Sequence, residues 1–358
     1  MRISWREINS LKKQMKIIMV LGALILLTGC SFLKSGQNTS NTSFSGETEE
    51  TGIVYPITLK LGYSTGEEDP RGLGAKLFKE TVESETGGDI IIDIYPSGEI
   101  GSDSELIRGV IDGTVDMTVS SEGNFAAYAT RVGISALPYL FTDFETAWKF
   151  MDSDIVDKVE NDLEDYNIHV LSHFDNGFRC VTTSQAAGEI NSVTDMSGLV
   201  IRTPENQIVM ETISELGANP KSLPFTEVKD ALAAGEFDGQ ENPIPVIYNS
   251  GLYEVQKYLA VTNHSYDAMP FVIRNDLWIN LSKEYQDIIS KAAISAQEYN
   301  RGLVKQQTSD DVSKLEDMGM IINYPDLGAF QAATKGVADV FSDIYGEELV
   351  KAVYSFTE

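Results

Sequence analysis

The sequence predicts an α/β fold built from two domains. Segments typical of strands and helices alternate along the chain, and a helical spacing of apolar residues runs without proline from Ser282 to about Met318. About 305 residues follow residue 54, which is enough for two domains with cores of their own. Alternating elements imply parallel sheets covered by helices, with ligands bound beyond the carboxyl ends of the strands.

The early elements have clear start and stop signals. We expect a strand from Ile57 to Gly62, then a helix that Asp69-Pro70 caps and that reaches about Glu85. After Gly87-Gly88, the run 90–95 is typical of a second strand. The remaining signals are capping boxes at 102–105 and 142–145, a helix end near Gly113 and a strand at 115–119.

Arg202 lies between a predicted strand, Leu199-Val200-Ile201, and a predicted helix start. Thr203 is the expected N-cap, Pro204 the first helical residue and Gly217 the stop. A guanidinium beside unpaired helix amides attracts carboxylates, so this junction predicts an anion site. A salt bridge between two elements is the alternative role for Arg202.

Two later segments complete the element pattern. Leu223-Pro224-Phe225-Thr226 repeats the junction, with Thr226 as the expected N-cap and Gly235 as the stop. The long apolar pattern from Ser282 predicts a helix of about 50 Å, since each residue adds 1.5 Å. Such a helix is long enough to brace two lobes, and two separate helices remain the alternative, with Gly302 a possible bend.

The N-terminal segment has the features of a bacterial lipoprotein signal. Lysines precede an apolar run from Ile17 to Leu27, which is too short to span a membrane, and Leu27-Thr28-Gly29-Cys30 is typical of a processing site. We expect removal of residues 1–29 and lipidation of Cys30, followed by a flexible polar tether to residue 54. An ordinary secretory signal or an anchoring helix is the alternative, and either Met1 or Met15 is the start.

Net charge, cysteine content and the lack of complete motifs argue against several kinds of binding site. The net charge of −27 disfavours binding to nucleic acid or to anionic headgroups. Besides Cys30 the chain has only Cys180, which a strand-like run marks as a core residue. His169 and His173 would suit a metal on a helix, but their segment resembles a strand, and Arg71-Gly72-Leu73-Gly74 is an incomplete dinucleotide loop. We therefore expect no metal and no cofactor.

A set of motifs after residue 55 resembles the solute-binding subunit of tripartite ATP-independent periplasmic (TRAP) transporters, in the branch that binds dicarboxylates and sugar acids. The motifs lie at 95–98, 136–141, 176–179, 195–204, 216–220, 224–228, 238–243, 253–258 and 262–264. The resemblance implies a periplasmic-binding-protein-like fold with two interwoven lobes that share the long helix. One lobe would comprise 55–176 with 267–305, the other 177–266 with 306–358.

The resemblance also implies site residues. Arg202 would form a two-pronged ion pair with the ligand carboxylate, Arg179 and Asn242 would assist it, and Phe225 would pack on the ligand body. Polar contacts on the first lobe would come from Ser64, Asp103, Ser121 and Glu122. Asp103 has the alternative role of supporting its helix, and Phe225 that of an ordinary core residue. Serines 64 and 121 replace the asparagine and glutamate of sialic acid binders, which disfavours sialic acid and leaves a uronate, another sugar acid or a four-carbon dicarboxylate.

The function expected from these features is extracytoplasmic capture of a small carboxylate. The protein would be anchored by lipid at Cys30 to the outer face of the cytoplasmic membrane, or lie in the periplasm, and would deliver its ligand to TRAP permease subunits. A ligand-sensing lipoprotein that feeds a membrane receptor is an alternative. An exported sugar-acid enzyme is disfavoured because no nucleophile, base and orienting residue form a recognisable set.

Overall fold

The computed structural model describes residues 52–357, so the predicted signal segment, Cys30 and nearly all of the tether lie outside the described part. The described residues form a nine-stranded sheet in the order β2-β1-β3-β8-β4-β7-β5-β6, with β9 beside β8. The strands are β1 (Ile57–Gly62), β2 (Ile90–Tyr95), β3 (Met117–Val119), β4 (Ile168–Thr183), β5 (Val200–Thr203), β6 (Asn219–Ser222), β7 (Gly239–Pro243), β8 (Tyr258–Arg274) and β9 (Ile321–Asn323).

Thirteen α-helices accompany these strands in residues 52–357. They are α1 (Pro70–Glu85), α2 (Asp103–Asp112), α3 (Glu122–Phe125), α4 (Phe144–Met151), α5 (Asp154–Glu160), α6 (Gln207–Glu215), α7 (Val228–Ala233), α8 (Ile244–Asn249), α9 (Asn275–Trp278), α10 (Lys283–Asp317), α11 (Leu327–Thr334), α12 (Val337–Tyr345) and α13 (Glu347–Thr357).

Two long antiparallel strands, β4 and β8, form the middle of the sheet. On one side of them lie β1, β2 and β3, called here the β1 end of the sheet, and on the other lie β5, β6 and β7, called the β5 end. Pairs β1–β2, β1–β3, β5–β6 and β5–β7 are parallel, as the sequence predicts. The central pairs are antiparallel, so the sheet is mixed, which the alternation of elements did not predict.

Helix α10 is continuous over its 35 residues, so the alternative of two separate helices is wrong. Ser282 caps its first turn, where its hydroxyl accepts a hydrogen bond from the Tyr285 amide at 3.3 Å. Ile289 and Ala292 belong to the apolar core beneath β1 and β2, whereas Leu315 belongs to a separate core beside α8. The helix therefore contributes side chains to the cores of both ends of the sheet.

Most local predictions hold, and three helix caps are corrected. Strands β1 and β2 have the predicted bounds, Asp69 caps α1, and Ser102 with Glu105 forms the capping box of α2. The predicted box at 142–145 is wrong, because α4 begins after Asp143, whose carboxylate accepts from the Thr146 amide at 2.8 Å.

The other two corrections lie at the β5 end. Thr203 is the last residue of β5 and does not cap α6, which begins only after Asn206. Thr226 lies in a 3₁₀ turn, Phe225–Glu227, and does not cap α7. Each predicted cap was placed ahead of the real helix start because a short turn separates strand from helix.

Among residues 52–357, no helix is both long enough and apolar enough to cross a membrane.

Candidate functional site

A cleft of about 630 Å³, including its open mouth, lies between the two ends of the sheet. The β1 end contributes the segments that follow β1 and β3 and the first turns of α1 and α2. The β5 end contributes the end of β5 and the loop at 222–225, and the middle of β4 completes the lining. The lining residues are mostly polar, which suits a small hydrophilic ligand. Seven of the eight predicted ligand-binding residues line it, namely Ser64, Asp103, Ser121, Arg179, Arg202, Phe225 and Asn242.

Arg202 is a buried cation without an anionic partner among residues 52–357. Its side chain projects from β5, the residue is 2 % exposed, and its Nε donates to the Leu223 carbonyl oxygen at 2.9 Å. No Asp or Glu within residues 52–357 forms an ion pair with it. Burial lowers the pKa of Arg202 to about 10, with Arg179 adding to the effect and Glu241 and Asp103 opposing it from a distance. The site therefore holds positive charge that no carboxylate of the described residues neutralises by contact.

Arg179 is the opposite case, because two carboxylates already bind it. Its guanidinium donates to the carboxylates of Glu241 and Asp267, and its Nη2 also donates to the Glu241 carbonyl oxygen at 2.8 Å and to Asn242 Oδ1 at 3.2 Å. Burial acts to lower the pKa of Arg179, but the two carboxylates outweigh it and raise the pKa above its ordinary value. Arg179 thus fixes the position of Asn242 at the cleft.

Asp267 links this network to the β1 end of the sheet. Besides Arg179, its Oδ2 accepts from the Asn176 side chain at 2.7 Å and from the Ser121 hydroxyl at 3.0 Å. Ser121 follows β3, whereas Asn176 and Arg179 belong to β4. One carboxylate on β8 therefore aligns polar groups from both sides of the cleft.

Glu122 lies outside the cleft. The residue is 1 % exposed and points into the protein, where it accepts a hydrogen bond from the Ser135 hydroxyl. Burial raises the pKa of Glu122 well above its ordinary value. It is therefore removed from the set of candidate ligand contacts, and only its neighbour Ser121 lines the cavity.

Sequence reasoning missed Arg71, Asn124 and Asn176 as lining residues. Arg71 lies in the first turn of α1, the helix that follows β1, whereas Arg202 lies in strand β5. Arg71 Nη1 lies 3.2 Å from Ser64 Oγ and 3.5 Å from Asp103 Oδ1. A search for arginines in the first turn of each predicted helix would have found Arg71.

The predicted strand around His169 and His173 and the predicted core position of Cys180 are confirmed. His169 and His173 both lie in strand β4, where His169 stacks on Trp278 and His173 Nε2 is 2.8 Å from Glu160 Oε1. Cys180 is buried in the same strand. Among residues 52–357, no group of His, Cys, Asp and Glu is arranged to hold a metal ion.

The chain is similar over most of its length to known extracellular solute-binding proteins. The sequence model described as "Bacterial extracellular solute-binding protein, family 7" matches residues 61–343. The chain belongs to this family. It is 33 % identical over 307 residues to the 2,3-diketo-L-gulonate-binding periplasmic protein YiaO of Escherichia coli (strain K12), a match that covers 85 % of this chain and 93 % of that one.

Solved structures agree with this assignment of the chain to solute-binding protein family 7. The sugar acid binding protein DctPAm of Advenella mimigardefordensis, in complex with galactonate, has a TM-score of 0.82 at 28 % identity, with 85 % of this chain and 99 % of that chain covered. A TRAP periplasmic solute-binding protein of Polaromonas sp. JS666, bound to D-erythronate, has a TM-score of 0.80 at 31 % identity, with 83 % and 98 % covered.

These matches confirm the resemblance inferred from the sequence motifs, and with it the two-lobed α/β fold. The protein is a TRAP-type solute-binding protein that acts outside the cytoplasm.

Proposed function

We propose that this protein captures a small organic acid in the cleft between the two ends of the sheet, with Arg202 as the main partner of the ligand carboxylate. The observation that carries this proposal is the buried guanidinium of Arg202, which lacks a carboxylate partner among residues 52–357. Burying an unpaired charge is costly, and a protein keeps one at a binding site because the ligand supplies the opposite charge.

Two further groups support the same orientation of the ligand. Asn242 lies at the end of β7 beside Arg179, and both line the cleft with Arg202. Since Arg179 is held by Glu241 and Asp267, its contribution to the ligand is mainly that of a fixed support for Asn242. Phe225, the first residue of the 3₁₀ turn that follows β6, offers an apolar face to the ligand body.

Closure of two lobes over the ligand would complete the mechanism. The lobes comprise residues 55–176 with 267–305 and residues 177–266 with 306–358, and β4, β8 and α10 pass between them. Ligand contacts from both lobes favour the closed state, because a carboxylate held by Arg202 also brings the rest of the molecule against Ser64, Asp103 and Ser121. The closed protein would then deliver the acid to TRAP permease subunits.

Calorimetry on the protein tests the role of Arg202. A thermal-shift screen of aldonates, uronates, dicarboxylates and keto acids first selects the acid that stabilises the protein most. Arg202→Ala should then weaken its binding by about 2–5 kcal/mol, roughly 30-fold to several thousand-fold, because a charge-assisted bond in a closed cleft is lost. Arg108→Ala, which removes an exposed arginine from α2, is the matched control and should bind as the parent does. Equal affinity in Arg202→Ala and the parent would refute the assignment.

We also propose that Cys30 carries a lipid that anchors the protein to the outer face of the cytoplasmic membrane. The support is the sequence alone, since a lysine-rich start, a short apolar run and Leu27-Thr28-Gly29-Cys30 form a lipoprotein signal. Labelling cells with a radioactive fatty acid should mark the parent protein and leave Cys30→Ser unlabelled. Labelling of both proteins, or of neither, would count against the anchor.

A further inference from the structure

Arg71 occupies the β1 end of the cleft, across from Arg202. It is the second residue of α1 and 4 % exposed, and its Nη1 donates to Ser64 Oγ at 3.2 Å and to the Val119 carbonyl oxygen at 3.4 Å. Its third neighbour is Asp103 Oδ1 at 3.5 Å. All three partners belong to the β1 end, so the guanidinium is fixed before any ligand arrives.

The charges at the two ends of the cleft differ. Arg202 has no carboxylate partner within residues 52–357, whereas Arg71 is paired with Asp103. A second carboxylate on a ligand would therefore meet attraction from Arg71 and repulsion from Asp103 at the same place. The β1 end is not a second anion site.

The pair instead suits hydroxyl groups. Asp103 lines the cavity; its Oδ1 accepts from the Ser120 hydroxyl at 2.6 Å, and its Oδ2 has no hydrogen-bond partner among the described residues. A hydroxyl both accepts and donates, so neighbouring hydroxyls can accept from Arg71 and donate to Asp103. Ser64, Ser121 and Asn124 line the same cavity and add uncharged donors and acceptors.

We propose that Arg71 and Asp103 form a hydroxyl-recognition subsite that makes the protein selective for polyhydroxylated monocarboxylates over dicarboxylates and unsubstituted acids of the same length. The inference rests on the proposed function, since it assumes that Arg202 holds the carboxylate. Arg71 is then a specificity-determining residue: it acts on the distal hydroxyls of the ligand and not on the carboxylate.

Three six-carbon acids separate these possibilities. D-galactonate carries hydroxyls and one carboxylate, hexanoate has lost the hydroxyls, and adipate has a second carboxylate in their place. Calorimetry on the parent should give an affinity for galactonate at least about 100-fold higher than for either analogue, because a site built to bond hydroxyls leaves its polar groups unpaired when they are missing. Hexanoate or adipate binding as tightly as galactonate would overturn the inference.

Variants locate the selectivity. Arg71→Met should weaken galactonate by roughly 100-fold and leave hexanoate unchanged, whereas Arg202→Ala should weaken all three acids. Asp103→Asn removes the repulsion between Asp103 and a second ligand carboxylate, so it should weaken the binding of galactonate and strengthen the binding of adipate. This variant keeps the inference testable should Arg71→Met fail to fold. Equal losses for galactonate and hexanoate in Arg71→Met, or no gain for adipate in Asp103→Asn, would contradict the subsite.

The same measurements keep the two proposals apart. If Arg202→Ala binds every acid as the parent does, the proposed function fails. A second outcome would refute only the hydroxyl subsite. In that outcome Arg202→Ala loses binding, but in a thermal-shift screen the parent prefers a dicarboxylate, such as adipate or succinate, over every aldonate and uronate.

Discussion

Gly123 packs against Asn206 so closely that a β-carbon on residue 123 would lie 2.3 Å from Asn206 Nδ2 and 2.6 Å from Asn206 Cβ. Gly123 belongs to α3, at the β1 end of the sheet, and Asn206 caps α6, at the β5 end. Gly98 and Thr226 form a second such contact, with a β-carbon at 98 placed 2.6 Å from Thr226 Cγ2. The two ends of the sheet therefore touch beside the cleft, because Asn124, Glu205 and Phe225, the chain neighbours of these residues, line it.

Gly123→Val should weaken ligand binding by preventing this approach. Asn206 cannot move aside cheaply, because its Oδ1 accepts from the amides of Ile208 and Val209 at 3.0 and 3.2 Å. We expect the affinity for the selected acid to fall at least about tenfold. Calorimetry measures the affinity, and small-angle scattering with saturating ligand should show a larger radius of gyration than the liganded parent.

The control for this variant is Gly302→Ala on α10, where a β-carbon meets nothing within 4 Å. It should bind normally and gain about 0.5–1 kcal/mol of stability from the helix propensity of alanine. Unchanged affinity in Gly123→Val would show that the contact between Gly123 and Asn206 does not limit closure.

Arg179 and Arg202 should differ in their effect on stability. Arg179→Met leaves Glu241 and Asp267 buried without their cation, which should cost about 3–5 kcal/mol in the free energy of unfolding. Arg202→Met removes a buried cation that has no carboxylate partner within the described residues, so the ligand-free protein should lose little stability or gain some. Urea denaturation of the ligand-free proteins measures both, and equal losses would contradict the contrast.

The stability of the protein should fall as pH rises from 5 to 8, in part because of Asp175. Burial raises the pKa of Asp175 from its ordinary 3.8 to about 7, and Asp267 adds to the effect, while the Trp148 side chain and Arg301 oppose it. Between these two pKa values the folded protein binds a proton that the unfolded chain has released. Its stabilising effect is therefore complete below about pH 4 and is lost as pH rises through about 7.

Asp175→Asn replaces the protonated carboxyl with a neutral amide and should flatten this dependence. Melting temperatures of the parent and variant should diverge in favour of the variant between pH 6 and pH 8. Asp112→Asn, at an exposed position at the end of α2, is the control and should follow the parent. Parallel curves for Asp175→Asn and the parent would show that this carboxyl does not titrate in that range.

Local signals in the sequence were enough to predict most elements near the site. Proline, capping residues and glycine stops bracket α1 and α2, and runs of branched residues identify β1 and β2, because these effects act within a few residues. They fail where a turn separates strand from helix, as at Thr203 and Thr226, since the same residue types favour both turns and caps.

Long-range features were not predictable from local patterns. Nothing in the sequence around Arg179 indicates that Glu241 and Asp267 pair with it, since those residues are brought there by the antiparallel pairing of β4 with β7 and β8. The family resemblance supplied the candidate residues, but not the difference between the paired Arg179 and the unpaired Arg202. It also did not point to Arg71, whose pairing with Asp103 depends on how α1 packs against α2.

The course of the chain through β4, β8 and α10 has a consequence for how the protein can be produced and dissected. Neither side of the cleft corresponds to one uninterrupted stretch of sequence, because each takes segments from before and after the central strands. A fragment that ends anywhere before residue 317 would lack part of the helix that both cores require. The protein should therefore melt in a single cooperative transition, and isolated halves should be insoluble when expressed alone.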